Sequence, residues 1–285
     1  MTAKMKIVIT GANGQLGQEL VQLSLSPNLQ IIGLGRDKLD ITDLEQCYDV
    51  VGSLLPDVII HCAAYTAVDK AESEPDEAFR INGEGTHNIA MAAKKSGAKL
   101  CYISTDYVFD GSGNTPYEEN DPVNPQSVYG KSKLAGEQEV RNLLEAYYIV
   151  RTSWVFGKYG NNFVKTILKL AGERDELKVV SDQIGSPTYT LDLANFLIEL
   201  VQTEKYGTYH ASNSGTCSWF DFALAAVQES QITSVKLTPC TTAEFPRPAA
   251  RPAFSVMRHT AMERVGFSDL RHWREALIHF INDSK

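Results

Sequence analysis

The chain has 285 residues, of which 43% are hydrophobic and 22% are charged, as expected for a globular protein with a sizeable core. Its formal net charge of -8 argues against a broad nucleic-acid-binding surface, and no apolar run approaches the roughly 20 residues that a membrane helix needs. The five cysteines form no CxxC pair and residues 1–6 lack a signal-sequence pattern, which argues against a disulfide framework or a zinc site and predicts a cytoplasmic location.

Short apolar segments alternate with helical patterns through the first half of the chain. Strands are predicted at 6–10, 29–34, 58–62, 100–104 and 148–152. Helices are predicted between them at 18–24, 44–54, 75–96 and 128–146, with Gly97 ending the third. Because buried strands separated by helices form parallel sheets with right-handed crossovers, we expect an α/β fold of the Rossmann type, with a doubly wound parallel sheet.

The alternation loosens after about Trp154. Helices are predicted at 162–172, 191–203, 218–228 and 272–281, while four prolines exclude a helix from 238–252. We interpret residues 1–157, together with 188–212, as a dinucleotide-binding domain. Residues 158–187 and 213–285 would form a smaller C-terminal substrate-binding lobe over the carboxyl edge of the sheet, where open α/β sheets bind ligands.

Three glycines, Gly11, Gly14 and Gly17, follow the first predicted strand with GxxGxxG spacing. Glycines at these positions allow a tight turn, close approach of the backbone to a pyrophosphate, and close packing of helix on strand. The N–H groups at the start of the following helix can then hold the phosphates. A glycine triplet is a weak signal by itself, but its place between a strand and a helix indicates dinucleotide binding.

The end of the second strand bears on which dinucleotide is bound. Enzymes that use NAD place an acidic residue there for the ribose hydroxyl, whereas this chain has Gly35 followed by Arg36. Arg36 can pair with a 2′-phosphate, so the sequence favours NADPH. Asp37 keeps NADH open as an alternative cofactor, and Arg36 as an ordinary surface charge stays open too.

Tyr129 and Lys133 form a YxxxK pair in a predicted helix, so that their side chains share one helix face. We expect the ammonium to lower the phenol pKa, so that Tyr129 can protonate a carbonyl oxygen as hydride reaches the carbon. Thr105 and Asp106 follow the predicted strand 100–104, and the Thr105 hydroxyl can orient that carbonyl. Each motif is common alone, but their order along the chain indicates a carbonyl reductase.

With these motifs the chain resembles the extended short-chain dehydrogenase/reductase superfamily and, within it, the dTDP-4-dehydrorhamnose reductase family. The resemblance extends over nearly the whole chain. Its most specific segments are HCAAYTAVDKAE at 61–72 and STDYVFDG at 104–111. Further matching segments are GANGQLG at 11–17, LDITD at 39–43, YGKSKLAGE at 129–137, RTSWVFG at 151–157, DQIGSPTYTLDLA at 182–194 and RPAFS at 251–255.

The resemblance implies NADPH-dependent reduction of the 4-keto group of dTDP-4-dehydro-6-deoxy-L-mannose to dTDP-L-rhamnose. Tyr129 would donate the proton, Lys133 would also bind the nicotinamide ribose, and Thr105 would orient the carbonyl. The implied cofactor contacts are Gly11, Asn13, Gly14, Gln15, Leu16, Gly17, Arg36, Asp40, Ile41, Ala63, Ala64, Tyr65, Tyr129 and Lys133. The implied substrate contacts are Thr66, Val68, Thr105, Asp106, Tyr107, Trp154, Gln183 and Arg251.

Some members of this family dimerise through a magnesium site built of glutamates, and one of those positions aligns with Gln15. Because a neutral amide is a poor ligand for a hard cation, we predict no metal site and leave a homodimer open. Two other functions also stay open. One is an epimerase or dehydratase on the same scaffold, against which Gly35 and Arg36 argue; the other is a non-catalytic NADP-binding subunit resembling the regulatory subunit of methionine adenosyltransferase.

Overall fold

The computed structural model describes residues 4–23 and 27–283. In the first half of the chain strands and helices alternate, and the long predicted helix at 75–96 is interrupted by a π-helical turn. The elements are β1 (Met5–Thr10), α1 (Gln15–Gln22), β2 (Leu29–Leu34), α2 (Leu44–Leu54), β3 (Val58–His61), α3 (Val68–Ala71), α4 (Pro75–Phe79), the π turn (Arg80–Glu84), α5 (Gly85–Ser96), β4 (Lys99–Thr105), a 3-10 turn (Asp106–Val108), α6 (Val128–Leu143) and β5 (Tyr147–Thr152).

The second half contains shorter strands and several helices. These elements are β6 (Val155–Phe156), α7 (Phe163–Glu173), β7 (Glu176–Val180), β8 (Ile184–Gly185), β9 (Thr188–Tyr189), α8 (Thr190–Val201), β10 (Gly207–His210), β11 (Asn213–Ser214), β12 (Cys217–Ser218), α9 (Trp219–Glu229), β13 (Lys236–Cys240), a 3-10 turn (Thr242–Glu244), α10 (Thr260–Arg264), β14 (Leu270–His272) and α11 (Trp273–Asp283).

Six parallel strands form the central sheet in the order β10-β5-β4-β3-β1-β2. Successive residues of β1 point to opposite faces, so that Ile7 packs into one core and Val8 into the other. Helices α1 and α8 cover the first face, and α2, α5 and α6 cover the second. The predicted Rossmann-type doubly wound sheet is therefore confirmed.

The chain order reverses between β1 and β3, which lie side by side with Thr10 paired to His61. Open α/β sheets form a crevice at such a point, because the connections leave the two strand ends in opposite directions. The glycine-rich turn after β1 and the alanines after β3 therefore meet at one edge of the sheet.

The boundaries of several elements differ from the predicted ones by a few residues. Helix α1 begins at Gln15 rather than 18 because Gly14 already adopts the extended conformation of an N-cap; the predicted end of this helix, at Ser24, lies outside the described residues. Gly97 ends α5 in the left-handed conformation, as predicted. Within 238–252, β13 extends through Pro239 in a two-stranded pair with β7, and no α-helix forms.

Small two-stranded pairs and helices α7, α9 and α11 form two further apolar cores, around Phe222 and around Val179. Strand β10 joins the central sheet, and Leu193 and Leu197 of α8 pack into its first core. Met262 of α10 packs into that same core. The division into two domains stays a prediction, because the packing of α10 crosses the proposed boundary.

Candidate functional site

A cleft of about 970 Å³ opens at the carboxyl ends of β1, β3, β4 and β5. Its wall contains most of the predicted site residues, although these come from segments far apart in the chain. The cleft is lined by Gly11, Asn13, Gly14, Gln15, Leu16, Gly17, Arg36, Asp40, Ile41, Ala63, Ala64, Thr66, Val68, Thr105, Asp106, Tyr107, Tyr129, Lys133 and Trp154.

Three predicted site residues do not line this cleft. The Tyr65 hydroxyl donates to Glu74 at 2.9 Å, and the Gln183 amide donates to the Thr242 hydroxyl at 3.0 Å. Arg251 pairs with Asp69 at 2.8 Å and lines a separate cavity of about 50 Å³ that also touches Tyr107. Sequence likeness could not reveal these local partners, which turn the side chains away from the cleft.

The turn after β1 brings three backbone segments into close contact. Gly11 has a φ of 66°, and a Cβ atom there would lie 2.6 Å from the Ala63 nitrogen. A Cβ atom on Gly17 would lie 2.2 Å from the Gly11 carbonyl oxygen. Side chains are thus excluded from this turn, and the N-cap Gly14 offers no side-chain bond to the first turn of α1. This arrangement leaves a cradle of backbone N–H groups suited to phosphates.

Arg36 lies exposed at the rim of the cleft, directly after Gly35. A side chain at position 35 would collide with Asn13, because a Cβ atom on Gly35 would lie 2.4 Å from the Asn13 amide nitrogen. Asp40 accepts hydrogen bonds from the backbone and hydroxyl of Thr42, which lower its carboxyl pKa, and the Arg36 charge lowers that pKa further. This end of the cleft therefore presents one exposed guanidinium beside a carboxylate.

Tyr129 and Lys133 lie one turn apart on α6 and both line the cleft. The Lys133 ammonium donates to the Ile103 carbonyl at 2.7 Å and lies 4.1 Å from the Tyr102 ring centroid. The Tyr129 ring packs edge-on against Tyr107, with centroids 5.5 Å apart. Strand β4 and the turn that follows it thus fix both members of the pair.

Burial dominates the protonation of this pair. It raises the pKa of Tyr129 to about 12, an effect that a hydrogen bond with the Thr105 hydroxyl only partly offsets. Burial also lowers the pKa of Lys133 to about 7. The expectation that the ammonium lowers the phenol pKa is therefore wrong for this structure, because the loss of hydration outweighs the other influences on Tyr129.

Thr105 and Asp106 lie at the end of β4, beside the YxxxK pair. The Thr105 hydroxyl donates to one oxygen of Asp106 at 2.9 Å, and it accepts from the Tyr107 backbone at 3.3 Å. Burial raises the pKa of Asp106 to about 6, although the nearby Ser255 hydroxyl opposes the rise. Among the described residues, the Asp106 Oδ2 atom has no partner within hydrogen-bond geometry, which leaves this buried acceptor free for a ligand hydroxyl.

An aromatic cluster that sequence patterns did not indicate forms another part of the wall. Trp219 stacks on Trp154 with ring centroids 3.6 Å apart, and Phe163 lies 4.5 Å from Trp219. Trp154 has a φ of 48°, a strained conformation for a non-glycine residue, and Gly185 packs against its indole. No local pattern identifies Trp219, because its contact with Trp154 arises only from packing of the second half of the chain.

A second unforeseen feature joins the cofactor side of the cleft to α6. Asn82, within the π turn, accepts from the Tyr65 backbone at 2.8 Å and donates to the Tyr65 carbonyl at 3.1 Å. It also donates to the Ser132 hydroxyl at 2.9 Å, which in turn donates to the Tyr129 carbonyl. π-Helical turns often occur at functional sites, and this one carries the asparagine between the two walls.

Two kinds of feature, a membrane-spanning helix and a metal-binding cluster, are absent from the described residues, 4–23 and 27–283. They contain no helix long and apolar enough to cross a membrane. They also hold no group of three or more histidine, cysteine, aspartate or glutamate side chains that could bind a metal ion. That the protein binds no metal stays a prediction, because it is argued from the neutral amide of Gln15 and not from these two absences.

Comparison with known proteins gives a consistent result. Residues 5–285 match the family described as the RmlD substrate binding domain. The spore coat polysaccharide biosynthesis protein SpsK of Bacillus subtilis is 45% identical over 98% of this chain and 97% of its own length. The dTDP-4-dehydrorhamnose reductase of Aggregatibacter actinomycetemcomitans is 42% identical over 95% and 97%. A crystal structure of dTDP-4-dehydrorhamnose reductase from Bacillus anthracis in complex with NADP aligns with a TM-score of 0.96 and 48% identity, covering 98% and 99%.

Proposed function

Because the chain belongs to the RmlD substrate-binding-domain family, we propose that its cleft carries out the dTDP-4-dehydrorhamnose reductase reaction of its relatives. The enzyme reduces the 4-keto group of dTDP-4-dehydro-6-deoxy-L-mannose to give dTDP-L-rhamnose, a step in the biosynthesis of cell-surface polysaccharide. Its cofactor is NADPH, with NADH as a second, weaker donor. The observation that carries this proposal is the meeting of Tyr129, Lys133 and Thr105 in one cleft with the glycine turn.

The glycine turn fits a dinucleotide diphosphate, because Gly11 and Gly17 allow a backbone packing that a Cβ atom would block, and the Gly14 N-cap places no side chain over the first turn of α1. Arg36 would pair with the 2′-phosphate, and Asp40 and Ile41 would hold the adenine end. Ala63 and Ala64 would lie against the ribose. When bound, NADPH supplies the hydride that reduces the keto carbon.

Tyr129 would donate its phenolic proton to the keto oxygen as negative charge develops there. Its raised pKa keeps it protonated through the neutral range, so the acid form is present before reaction. The Lys133 ammonium would stabilise the phenolate that remains after transfer, and it would also bind the nicotinamide ribose. Thr105 would hold the keto oxygen by a hydrogen bond.

The substrate sugar would lie between Asp106, Tyr107 and Trp154, with Thr66 and Val68 on the other side of the cleft. The free Oδ2 atom of Asp106 suits a sugar hydroxyl. We leave Gln183 and Arg251 out of this contact set, because both side chains are bound elsewhere in the protein. Tyr65 would contribute through its backbone position, which Asn82 fixes.

The reaction itself is tested by NADPH oxidation with dTDP- and UDP-linked 4-keto-6-deoxysugars. We expect one NADPH to be consumed per dTDP-keto-sugar, with dTDP-L-rhamnose as the product. An epimerase or dehydratase would return its cofactor unchanged, so product without NADPH loss would contradict the proposal. A non-catalytic subunit would bind NADP and convert none of the sugars.

Replacing Arg36 with alanine is expected to lower kcat/KM for NADPH by about 10- to 100-fold, the value of a lost charge-assisted hydrogen bond. The value for NADH should change by less than about threefold, because NADH lacks the 2′-phosphate. Initial rates with both cofactors give the ratio. Lys38→Ala removes an exposed charge two residues away, outside the cleft, and serves as the control. Equal losses of kcat/KM for both cofactors would show that Arg36 does not bind the 2′-phosphate.

The pH dependence of kcat/KM at saturating NADPH is expected to be bell-shaped. As pH rises through about 7, Lys133 loses its proton and with it the charge that stabilises the phenolate. As pH falls through about 6, Asp106 gains a proton and becomes a poorer acceptor for the sugar hydroxyl. Asp106→Asn should remove the acidic limb and keep the alkaline one. A profile in which this variant retains both limbs would contradict the assignment of Asp106.

We further propose a cytoplasmic location and two functional lobes, 1–157 with 188–212, and 158–187 with 213–285. Hydrogen exchange with and without NADP⁺ tests the division, because cofactor contacts should protect the first set of residues preferentially. A homodimer remains a prediction that sedimentation velocity of the purified protein can decide.

A further inference from the structure

One fully buried charge near the reacting groups has no part in the mechanism described above. Glu137 lies one turn after Lys133 and two turns after Tyr129, on the same face of α6. Its carboxylate accepts four hydrogen bonds, from Ser104 at 2.6 Å, from Arg151 twice at 2.9 Å, and from Arg141 at 2.8 Å. Burying a carboxylate away from water costs free energy, so its presence beside the reacting groups indicates a specific role.

The partners of Glu137 tie α6 to the ends of two neighbouring strands. Ser104 and Arg151 are paired across β4 and β5, and the next pair along the same strands is Thr105 and Thr152. Glu137 therefore fixes the strand residue that immediately precedes the carbonyl-orienting hydroxyl. Loss of this bond would free the strand end to move relative to the phenol on α6.

The same carboxylate lies one helical turn from Lys133, and its negative charge raises the pKa of that ammonium without a direct bond between them. The groups that influence or face that ammonium from neighbouring elements are Cys62, His61, Tyr102, Tyr129 and Glu137. Burial keeps the first four neutral near pH 7, because it raises the pKa of the thiol and both phenols and lowers the pKa of the imidazole to about 3.

Burial raises the pKa of Glu137, but the bonds and charges of Arg151 and Arg141 outweigh this effect, so its pKa lies below the ordinary value and the carboxylate is ionised. Among these groups it alone brings a negative charge to Lys133 at neutral pH. Its removal would also leave the buried Arg151 without its ion pair, and an unpaired positive charge would disfavour the ammonium further.

We propose that Glu137 is a positioning residue for the reduction, holding the Ser104–Thr105 strand end against α6 and keeping Lys133 in its charged form. Glu137 contacts neither cofactor nor substrate in this assignment. The catalytic part of the inference rests on the proposed function, whereas the charge of Lys133 can be measured in the protein without ligand.

The test titrates Lys133 directly, by NMR of protein carrying lysine labelled with ¹³C at the ε position. Lys133→Met identifies the resonance. We expect a pKa near 7 in the wild type and a value lower by about one unit or more in Glu137→Gln, as for loss of a nearby opposite charge. Glu139→Gln, on the same helix but at the surface beside His87, should leave the titration unchanged. Equal titrations in the wild type and Glu137→Gln would overturn the counter-charge assignment.

Kinetics provide the second measurement. In Glu137→Gln the alkaline limb of kcat/KM should move to lower pH; for a shift of about one unit the loss is about tenfold at pH 8 and about twofold at pH 6. A purely structural role would lower activity by one factor at every pH, and that result would overturn the proposal. Inactivity of the wild type towards every keto-sugar would refute the proposed reaction, while the NMR titration would still test the Lys133 charge.

Ser104→Ala keeps every charge, and it tests the positioning role of Glu137 if Glu137→Gln does not fold. It removes only the bond between the carboxylate and the strand end. We expect kcat to fall by about three- to tenfold, roughly the value of one hydrogen bond, with the alkaline limb unmoved. An unchanged kcat would overturn the positioning role.

Discussion

Replacing Tyr129 with phenylalanine is expected to lower kcat by about 10³-fold, within the range that general acids contribute to catalysis. The phenol is the proton source in the proposed reaction, and its pKa of about 12 keeps it protonated at every pH where the enzyme works. The change removes one oxygen atom and retains the ring, which packs edge-on against Tyr107. Stopped-flow measurement of NADPH absorbance gives the rate of the chemical step.

Cofactor binding separates a loss of chemistry from a loss of structure in this variant. The Kd for NADPH, measured by calorimetry, should stay within about threefold of the wild-type value, because the glycine turn and Arg36 are untouched. Tyr206→Phe serves as a matched control, since its ring lies at the surface beside Tyr148 and away from the cleft. Near wild-type turnover by Tyr129→Phe would remove the phenol from the mechanism.

Replacing Lys133 with methionine is expected to change activity and stability in opposite directions. The kcat should fall by about 10²- to 10⁴-fold, because the phenolate left after proton transfer loses its stabilising charge. The free energy of unfolding at pH 7 should rise by about 1–3 kcal/mol, since an ammonium is no longer held out of water. The lost bond to the Ile103 carbonyl offsets part of this gain. Chemical denaturation and steady-state rates measure the two effects.

The stability gain should depend on pH in a defined way. The pKa of Lys133 is lowered to about 7 in the folded protein, so between pH 7 and its ordinary value near 10.5 the unfolded chain binds the additional proton. Wild-type stability from this group therefore increases with pH across that window, and the advantage of Lys133→Met should shrink towards pH 10. Lys131→Met, at an exposed position on the same helix, should alter neither property. A variant less stable than wild type at pH 7 would show that the ammonium stabilises the fold.

Several features of the molecule follow from the sequence because they depend on neighbours along the chain. The apolar runs around Ile7 and Ile59 predict buried parallel strands, and both pack in the sheet as expected. The glycine spacing predicts the tight turn after β1, and that turn forms because Gly11 adopts the left-handed backbone conformation. The spacing of Tyr129 and Lys133 places them on one helix face, since four residues make about one helical turn. Glu137 continues the same spacing and could have been recognised by it.

Other features were decided only when distant segments packed together. The helix that begins at Trp219 was predicted from its local pattern, but the pairing of β12 with β8, which brings Trp219 to Trp154, was not. The bonds between Asn82 of the π turn and the Tyr65 backbone join segments 17 residues apart, which no local pattern indicates. Arg251 was expected at the cleft, yet Asp69 of α3 binds it outside, and only the tertiary fold brings those charges together.

The protonation of the site is the clearest case of a property that the tertiary structure determines. The sequence shows an ammonium next to a phenol, and that arrangement alone predicts a lowered pKa for Tyr129. In the folded protein Lys133 is buried and Tyr129 is half-buried in the cleft wall, and the loss of hydration raises the pKa of Tyr129 and lowers that of Lys133. Spacing along a helix fixes which side chains are neighbours, whereas the water that each one loses depends on everything packed around it.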